Sequence, residues 1–448
     1  MSKILIVVCS NYIKFKNILP TRTFFYKMSK RLNKEVIKNR FFLGIFLSLL
    51  SIACKDKKNT ETKLSLSKTP MFSMESPMIL HEGLKEGQIL YTKKGKIEKE
   101  IPVQSDGELF WFMSDFDVSD KSLTELYIKT GNPFSNQNIV TITKSEQELH
   151  LKSEKTPLLS YRYKMNYPPP GVDSIYGKSA YVHPLLSPSG DTLTRIQPPD
   201  HYHHYGLWGP WTKTKIAGRG VDFWNLGTGQ GTVLFKEVLS TYQGPLFSGF
   251  KVRQEHIDFK ATPQNRLAIV EDLDIKTWHL NNQKNRYIVD YISKFSTPLE
   301  DGLLLEQYRY GGGLAMRFNE RWKADNSKLL TSEGKDRLTA DGTKARWCLI
   351  SGESTDGKTT NGVLFLSHIE NKSHPEPMRV WPIDANEGRG DMFFEFCPIR
   401  HQEWFLEKNK WNTLKYRLIV FEGTLTSEEA EAYWQSYVNP VTTKSVSD

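Results

Sequence analysis

Leu267-Ala-Ile-Val-Glu-Asp-Leu-Asp-Ile275 and, after a polar break, Tyr287-Ile-Val-Asp-Tyr-Ile-Ser-Lys-Phe295 decide the fold. Each run is strand length, rich in β-branched and aromatic residues and free of Pro and Gly, which marks extended chain packed on at least one face. Comparable runs lie on both sides: Leu159-Ser-Tyr-Arg-Tyr-Lys-Met-Asn-Tyr167, Thr232-Val-Leu-Phe-Lys-Glu-Val238, Lys251-Val-Arg-Gln-Glu-His-Ile-Asp-Phe259 and Leu414-Lys-Tyr-Arg-Leu-Ile-Val-Phe421. So many long strands predict an all-β chain whose centre, residues 158–440, is a large antiparallel β-sandwich of the super-sandwich kind. Shorter alternating runs, Leu126-Tyr-Ile-Lys129, Ile139-Val-Thr-Ile-Thr143 and Leu149-His-Leu-Lys152, predict a small N-terminal β domain over residues 75–157. A single helix is expected from Ser427, read as its N-cap before an acidic first turn, with Tyr433, Trp434 and Tyr437 packed on a sheet.

The N-terminal end reads differently. Lys30, Arg31, Lys34, Lys38 and Arg40 precede an apolar run, Phe41 to Ala53, that is too short to span a bilayer. It ends in Leu50-Ser-Ile-Ala-Cys54, which resembles a bacterial lipobox with Cys54 as the lipidated residue. Residues 1–53 are therefore expected to be a signal segment starting at Met28, and residues 54–74, rich in Lys, Ser and Thr, a flexible tether. The expected location is exported: lipid-anchored to the outer membrane facing periplasm or cell surface, or periplasmic. The first 53 residues hold ten of the 60 Lys/Arg and one of the 51 Asp/Glu, so the remainder carries 50 of each and the net charge of +9 disappears with the signal. A global basic field for nucleic acid is thereby excluded, and the membrane enters only through the anchor. Cys348 and Cys397 show no metal-type spacing.

Between the strands lies Arg195-Ile-Gln-Pro-Pro-Asp-His-Tyr-His-His-Tyr-Gly-Leu-Trp-Gly-Pro-Trp211, which places three of the eleven histidines within four positions. Such a density of imidazole points to proton transfer or metal binding rather than to core packing. If the stretch is extended, His201 and His203 share one face and Asp200, Tyr202 and His204 the other. No cofactor is required; the alternative is a divalent metal held by His201, His203 and Asp200, with His183 able to complete the set. In the metal-free reading His201, His203 or His204 is the acid or base, Tyr308 is a second proton carrier, and Arg195 holds an anionic group. Glu306-Gln-Tyr-Arg-Tyr-Gly-Gly-Gly-Leu-Ala-Met-Arg317 adds Arg309 and Arg317 around a triple glycine, and Ser367-His-Ile-Glu-Asn-Lys-Ser-His-Pro-Glu-Pro-Met-Arg-Val-Trp381 adds His368 and Arg379. Trp208 and Trp211 are expected to stack on sugar faces.

Tyr181-Val-His-Pro-Leu-Leu-Ser-Pro-Ser-Gly190, Pro-Pro-Asp-His-x-His-His-x-Gly-Leu-Trp over residues 198–208, Val221-Asp-Phe-Trp224, Tyr310-Gly-Gly312, Ala345-Arg-Trp347 and Ser367-His-x-x-Asn-x-x-His-Pro375 together resemble the PmoA-like family of secreted bacterial proteins, across roughly residues 160–425. Tyr205 stands where that family commonly has Arg. The resemblance implies a carbohydrate-locus protein, and one branch is associated with ulvan degradation as an oligosaccharide dehydratase. It thus implies a carbon–oxygen lyase, of dehydratase or polysaccharide-lyase type, performing β-elimination on an acidic oligosaccharide. His183, Arg195, Trp208, Trp211, Arg309, Arg317, His368 and Arg379 would bind the substrate. The alternatives are a glycoside hydrolase using Asp200 and Glu306, or a glycan-binding lipoprotein without catalysis.

Overall fold

The computed structural model describes residues 61–68, 74–94, 96–113, 125–132, 139–280 and 283–446. The apolar run 41–53, Cys54 and the signal segment lie outside the described residues, and among the described residues no helix is long and apolar enough to cross a membrane.

Two large antiparallel sheets form the centre. One has eight strands, in the order Gly231–Tyr242, Phe247–Asp258, Arg266–Trp278, Arg286–Ser296, Asn412–Glu422, Thr360–Ser367, Trp347–Glu353 and Ser327–Thr331. The other has nine, in the order Lys344–Ala345, Glu376–Val380, Phe393–Phe396, Leu314–Arg317, Leu207–Trp208, Tyr181–Leu185, Thr156–Arg162, Glu148–Ser153 and Val140–Lys144. The period-2 geometry of a strand sends alternate side chains to opposite faces. Leu273, Ile275, Val289, Tyr291, Val363, Phe365, Leu418 and Val420 of the first sheet share one buried core with Leu149, Leu151, Val182, Leu314, Met316, Met378, Phe394 and Phe396 of the second. Each such side chain contributes about 1.5–3 kcal/mol on burial, which makes this shared layer the main source of stability.

Each sheet also has a second, outward face. On the eight-stranded sheet Ile288, Leu364, Leu366, Ile419 and Phe421 lie under the helix Ser427–Val438, which buries Ala430, Tyr433 and Trp434 against them. The cap is Thr426, one residue before the expected Ser427, because only Thr426 has a glutamate three residues on. Glu429 N–H donates to Thr426 Oγ1 at 3.2 Å, and Thr426 N–H donates back to Glu429 Oε2 at 2.9 Å. On the nine-stranded sheet the outward residues Tyr181, Trp208, Ala315 and Phe393 join Tyr205, Trp224, Leu226 and Trp381 in an aromatic cluster. This face carries the candidate site.

The expected domain limits shift. Residue 157 falls within a pair of neighbouring strands, Glu148–Ser153 and Thr156–Arg162, that both belong to the nine-stranded sheet, as does Val140–Lys144. Sheet membership changes instead after Leu126–Thr130. The part expected to be tether is also ordered in places: Thr62–Leu66 is a strand that buries Leu64 and pairs with both Leu126–Thr130 and the terminal strand Thr443–Ser445. Its Thr-Lys-Leu-Ser-Leu alternation is a strand pattern set within a Lys- and Ser-rich context.

Candidate active site

His201, His203 and His204 of the loop 196–205 line a cleft of about 330 Å³ on the outward face of the nine-stranded sheet. Backbone bonds fix both ends of this loop: Arg195 N–H donates to Arg317 O, Arg317 N–H to Gly206 O and Gly206 N–H to Arg195 O. Gly206 has φ +64°, and a Cβ there would meet Val182 O at 2.3 Å, so the Gly of the His-His-x-Gly-Leu-Trp motif is a steric requirement. Within the loop the chain is not extended. His201 N–H donates to Pro198 O and His204 N–H to His201 O, two successive turns. They bring all three imidazoles together, with ring centroids 4.7 Å apart for His201 and His204, 4.8 Å for His203 and His204, and 5.4 Å for His201 and His203.

The three rings have different chemistry. His201 Nδ1 lies 2.8 Å from Asp200 Oδ2, so with the carboxylate ionised the ring donates through Nδ1 and its lone pair is on Nε2. Asp200 is held well below the usual carboxylate range: burial opposes this, but the His201 hydrogen bond and the Arg317 charge outweigh it. His203 is pushed down to about 4 by burial and then by His201, and is neutral near pH 7. His204, 3% exposed, is held well below the usual imidazole range by burial and stacks on Phe393 at 5.2 Å. Behind the loop, Arg317 Nη2 reaches Asp200 Oδ2 at 2.9 Å, and the guanidinium carbon Cζ lies over the Trp381 ring at 4.5 Å.

The walls come from distant segments. Asp222 accepts from Trp224 N–H, Asn225 N–H and Asn225 Nδ2, which folds Val221-Asp-Phe-Trp224 so that Trp224 and Asn225 line the cleft while Phe223 enters the core. Asn225 Nδ2 donates to Tyr310 Oη at 3.2 Å. Arg309 and Arg379 supply positive charge; Arg379 donates to Asp341 Oδ2 at 2.9 Å, and Arg400 bridges the same carboxylate to the Arg309 carbonyl. Trp381, Pro382, Ala385, Asn386 and Phe393 complete the lining. No carboxylate is among the lining residues.

The cleft thus gathers His201, His203, His204, Arg309 and Arg379 of the expected set and leaves the others elsewhere. Tyr308 is not a lining residue; its ring packs on Tyr310 at 4.9 Å, and it is Tyr310 that lines the cleft, its phenol kept protonated by burial. Trp208 and Trp211 are each 2% exposed and unavailable for stacking, the first beneath His204 and the second in the sandwich core against Phe295. Arg195 pairs with Glu320 at 3.2 Å outside the lining. His183 is bonded to Thr194 Oγ1 at 2.9 Å and is likewise not a lining residue. Arg317 is buried behind the wall and acts on Asp200, so direct binding of substrate is not its role. His368 lies at the end of Thr360–Ser367, with its ring 5.2 Å from Tyr437 of the helix. Among the described residues no group of three His, Cys, Asp or Glu converges as a metal ligand set; Asp200 Oδ2 is already taken by His201, Arg317 and Asn386. Cys348 and Cys397 are free and buried. The triple glycine, with φ of +109°, +77° and +65°, packs on Thr212, Trp211 and Phe396 rather than on a ligand, since a Cβ on Gly312 would lie 2.0 Å from Trp211.

Sequence reading passed over Asn225, Trp381, Asn386 and Asp391 as site residues. Trp381 closes a motif already singled out, and Asn225 follows directly on another, so both carried a weak local signal; Asn386 and Asp391 carried none.

No curated protein matches the sequence. Among solved structures, the chain is similar to the GH36 alpha-galactosidases AgaA and AgaB of Geobacillus stearothermophilus. The first match has 9% identity over 63% of this chain and 40% of that one, with a TM-score of 0.29. The second has 10% identity over 64% and 40%, with a TM-score of 0.28. The chain therefore spans about 40% of the length of these structures. A family model described as a family of unknown function, DUF6807, matches residues 148–435, from the strand Glu148–Ser153 into the C-terminal helix. The chain belongs to the DUF6807 family.

Proposed function

We propose that this protein is a carbohydrate-active carbon–oxygen lyase that performs β-elimination on uronic-acid-containing oligosaccharides, ulvan fragments among them. The observation that carries the reading is the Asp200–His201 pair opening into a cleft with aromatic walls, two arginines and no lining carboxylate. The C5 proton of a uronate is weakly acidic and becomes removable when the adjacent carboxylate is neutralised, the role given to Arg309 and Arg379. His201 Nε2 takes that proton, the C5–H electrons form the C4–C5 double bond, the C4–O bond breaks, and Tyr310 protonates the departing oxygen. Water as leaving group makes the enzyme a dehydratase, and a sugar makes it a lyase. Trp224 and Trp381 offer the apolar surface against which pyranose C–H groups rest. Export through the N-terminal segment, lipid attachment at Cys54 and the PmoA-like resemblance belong to the same proposal.

The hydrolase alternative lacks its pair of carboxylates. Asp200 is engaged by His201 and Arg317, Glu306 is bound to Lys215 at 2.6 Å, and neither lines the cleft. Incubation of the full chain with uronate-terminated oligosaccharides, followed by ultraviolet absorbance and mass spectrometry, tests the proposal. Loss of one water, or cleavage that leaves an unsaturated uronate, supports it. Gain of water, or binding without turnover, refutes it.

A further inference from the structure

Arg317 does not pair with Asp200 alone. Its Nη2 lies 2.9 Å from Asp200 Oδ2 and 3.3 Å from Asp391 Oδ2, and Asn386 Nδ2 spans the same two oxygens at 3.1 and 2.6 Å. Two donors thus bridge two carboxylates. Arg389 reaches Asp391 Oδ2 at 2.8 Å and Asp200 Oδ1 at 3.8 Å, and Lys323 closes on the other Asp391 oxygen. The charged and titratable groups around Asp200 are therefore His201, His203 and His204 of its own loop, Arg317 of the strand Leu314–Arg317, and Arg389 and Asp391 of the loop after Trp381, with Arg195 acting on Arg317 from a distance. Asp200 Oδ2 already receives three donors, His201 Nδ1, Arg317 and Asn386, on an oxygen with two lone pairs. Without Asp391, Arg317 and Asn386 would keep Asp200 as their carboxylate partner and compete with the imidazole for it.

We infer that Asp391 is a positioning residue: by sharing Arg317 and Asn386 it keeps the Asp200 carboxylate on His201 Nδ1 and so fixes the tautomer of the proposed base. The same contacts tie the cleft wall at Asn386 to that base. The role rests on the proposed function only in what His201 does, not in how it is held.

The test is imidazole N–H spectroscopy on the full chain labelled with 15N-histidine, with Asp200→Asn used to assign the His201 Nδ1–H signal. Asp391→Asn is expected to speed solvent exchange of that proton about fivefold or more, the equivalent of one ordinary hydrogen bond, and Asp391→Glu to restore it. In the uronate assay Asp391→Asn lowers kcat and leaves KM unchanged. If Asp391→Asn fails to fold by near-ultraviolet circular dichroism, Asn386→Ala decides the matter, with exchange slowed because one of the two donors that compete with the imidazole for Asp200 Oδ2 is gone. A folded variant with native exchange overturns the inference. The spectrum needs no substrate, so failure of the sugar assay in the native protein would refute the proposed reaction and leave the positioning role standing.

Discussion

Glu376 shows how far environment can move a single group in this fold. It is fully buried, Tyr416 Oη lies 2.7 Å from Oε1, and Ser367 Oγ and Asn371 Nδ2 lie 2.7 and 3.2 Å from Oε2. Burial lifts it from 4.5 to about 7 in spite of these three partners. The folded state therefore keeps a proton that the unfolded chain releases near 4.5, and Glu376 costs progressively more stability as pH rises from 4.5 to about 7, with no further change above. Glu376→Gln removes that dependence. The variant is expected to gain on the native protein by up to about 3 kcal/mol over this interval, read as Tm measured at pH 5 and pH 8; parallel Tm curves would contradict it. At this scale sequence showed where chemistry concentrates but not how it is divided. Three histidines within four positions located the cleft, and the turns at His201 and His204, which no propensity announced, decided that only His201 meets a carboxylate. Asn386 and Asp391 lie about 190 residues from Asp200, and nothing in local spacing links them to it.

At the level of elements, alternation did most of the work. The long strands were legible because each places apolar residues on the shared core while the opposite face is either covered or charged. The two-residue strand Leu207–Trp208 was not, although it carries the histidine loop into the nine-stranded sheet, because two residues have no period to read. The helix was legible through its acidic first turn, and its start was misplaced by one residue because Ser ranks above Thr as an N-cap in isolation. The reciprocal bonds of Thr426 and Glu429 settle the choice. Thr426→Ala is accordingly expected to cost about 0.5–2 kcal/mol, and Ser427→Ala nearly nothing, a contrast that denaturant titration measures directly. Equal losses would mean that the cap is shared.

On the scale of the molecule, the N-terminal sheet is closed by the far end of the chain. Thr443–Ser445 pairs with Thr62–Leu66, and Val441 is buried with Leu64, Met78 and Leu80. A sequence read from left to right places these segments in separate regions, since strand partners some 380 residues apart leave no mark in either segment. Truncation after Asn439 should expose the edge of Thr62–Leu66 and make residues 61–130 sensitive to limited proteolysis, with the sandwich retained. A protease pattern identical to that of the full chain would show that the terminal strand is dispensable.

The central claim, that His201 is the base of an eliminating enzyme, is tested most directly by comparing the native chain with His201→Ala on uronate-terminated oligosaccharides, with product mass and unsaturation followed together. The account predicts an unsaturated product from the native protein and, because a positioned general base contributes typically 10²–10⁴-fold, a rate at least about a hundredfold lower from a folded His201→Ala variant. Full activity in the variant, or a product heavier by one water, would contradict it.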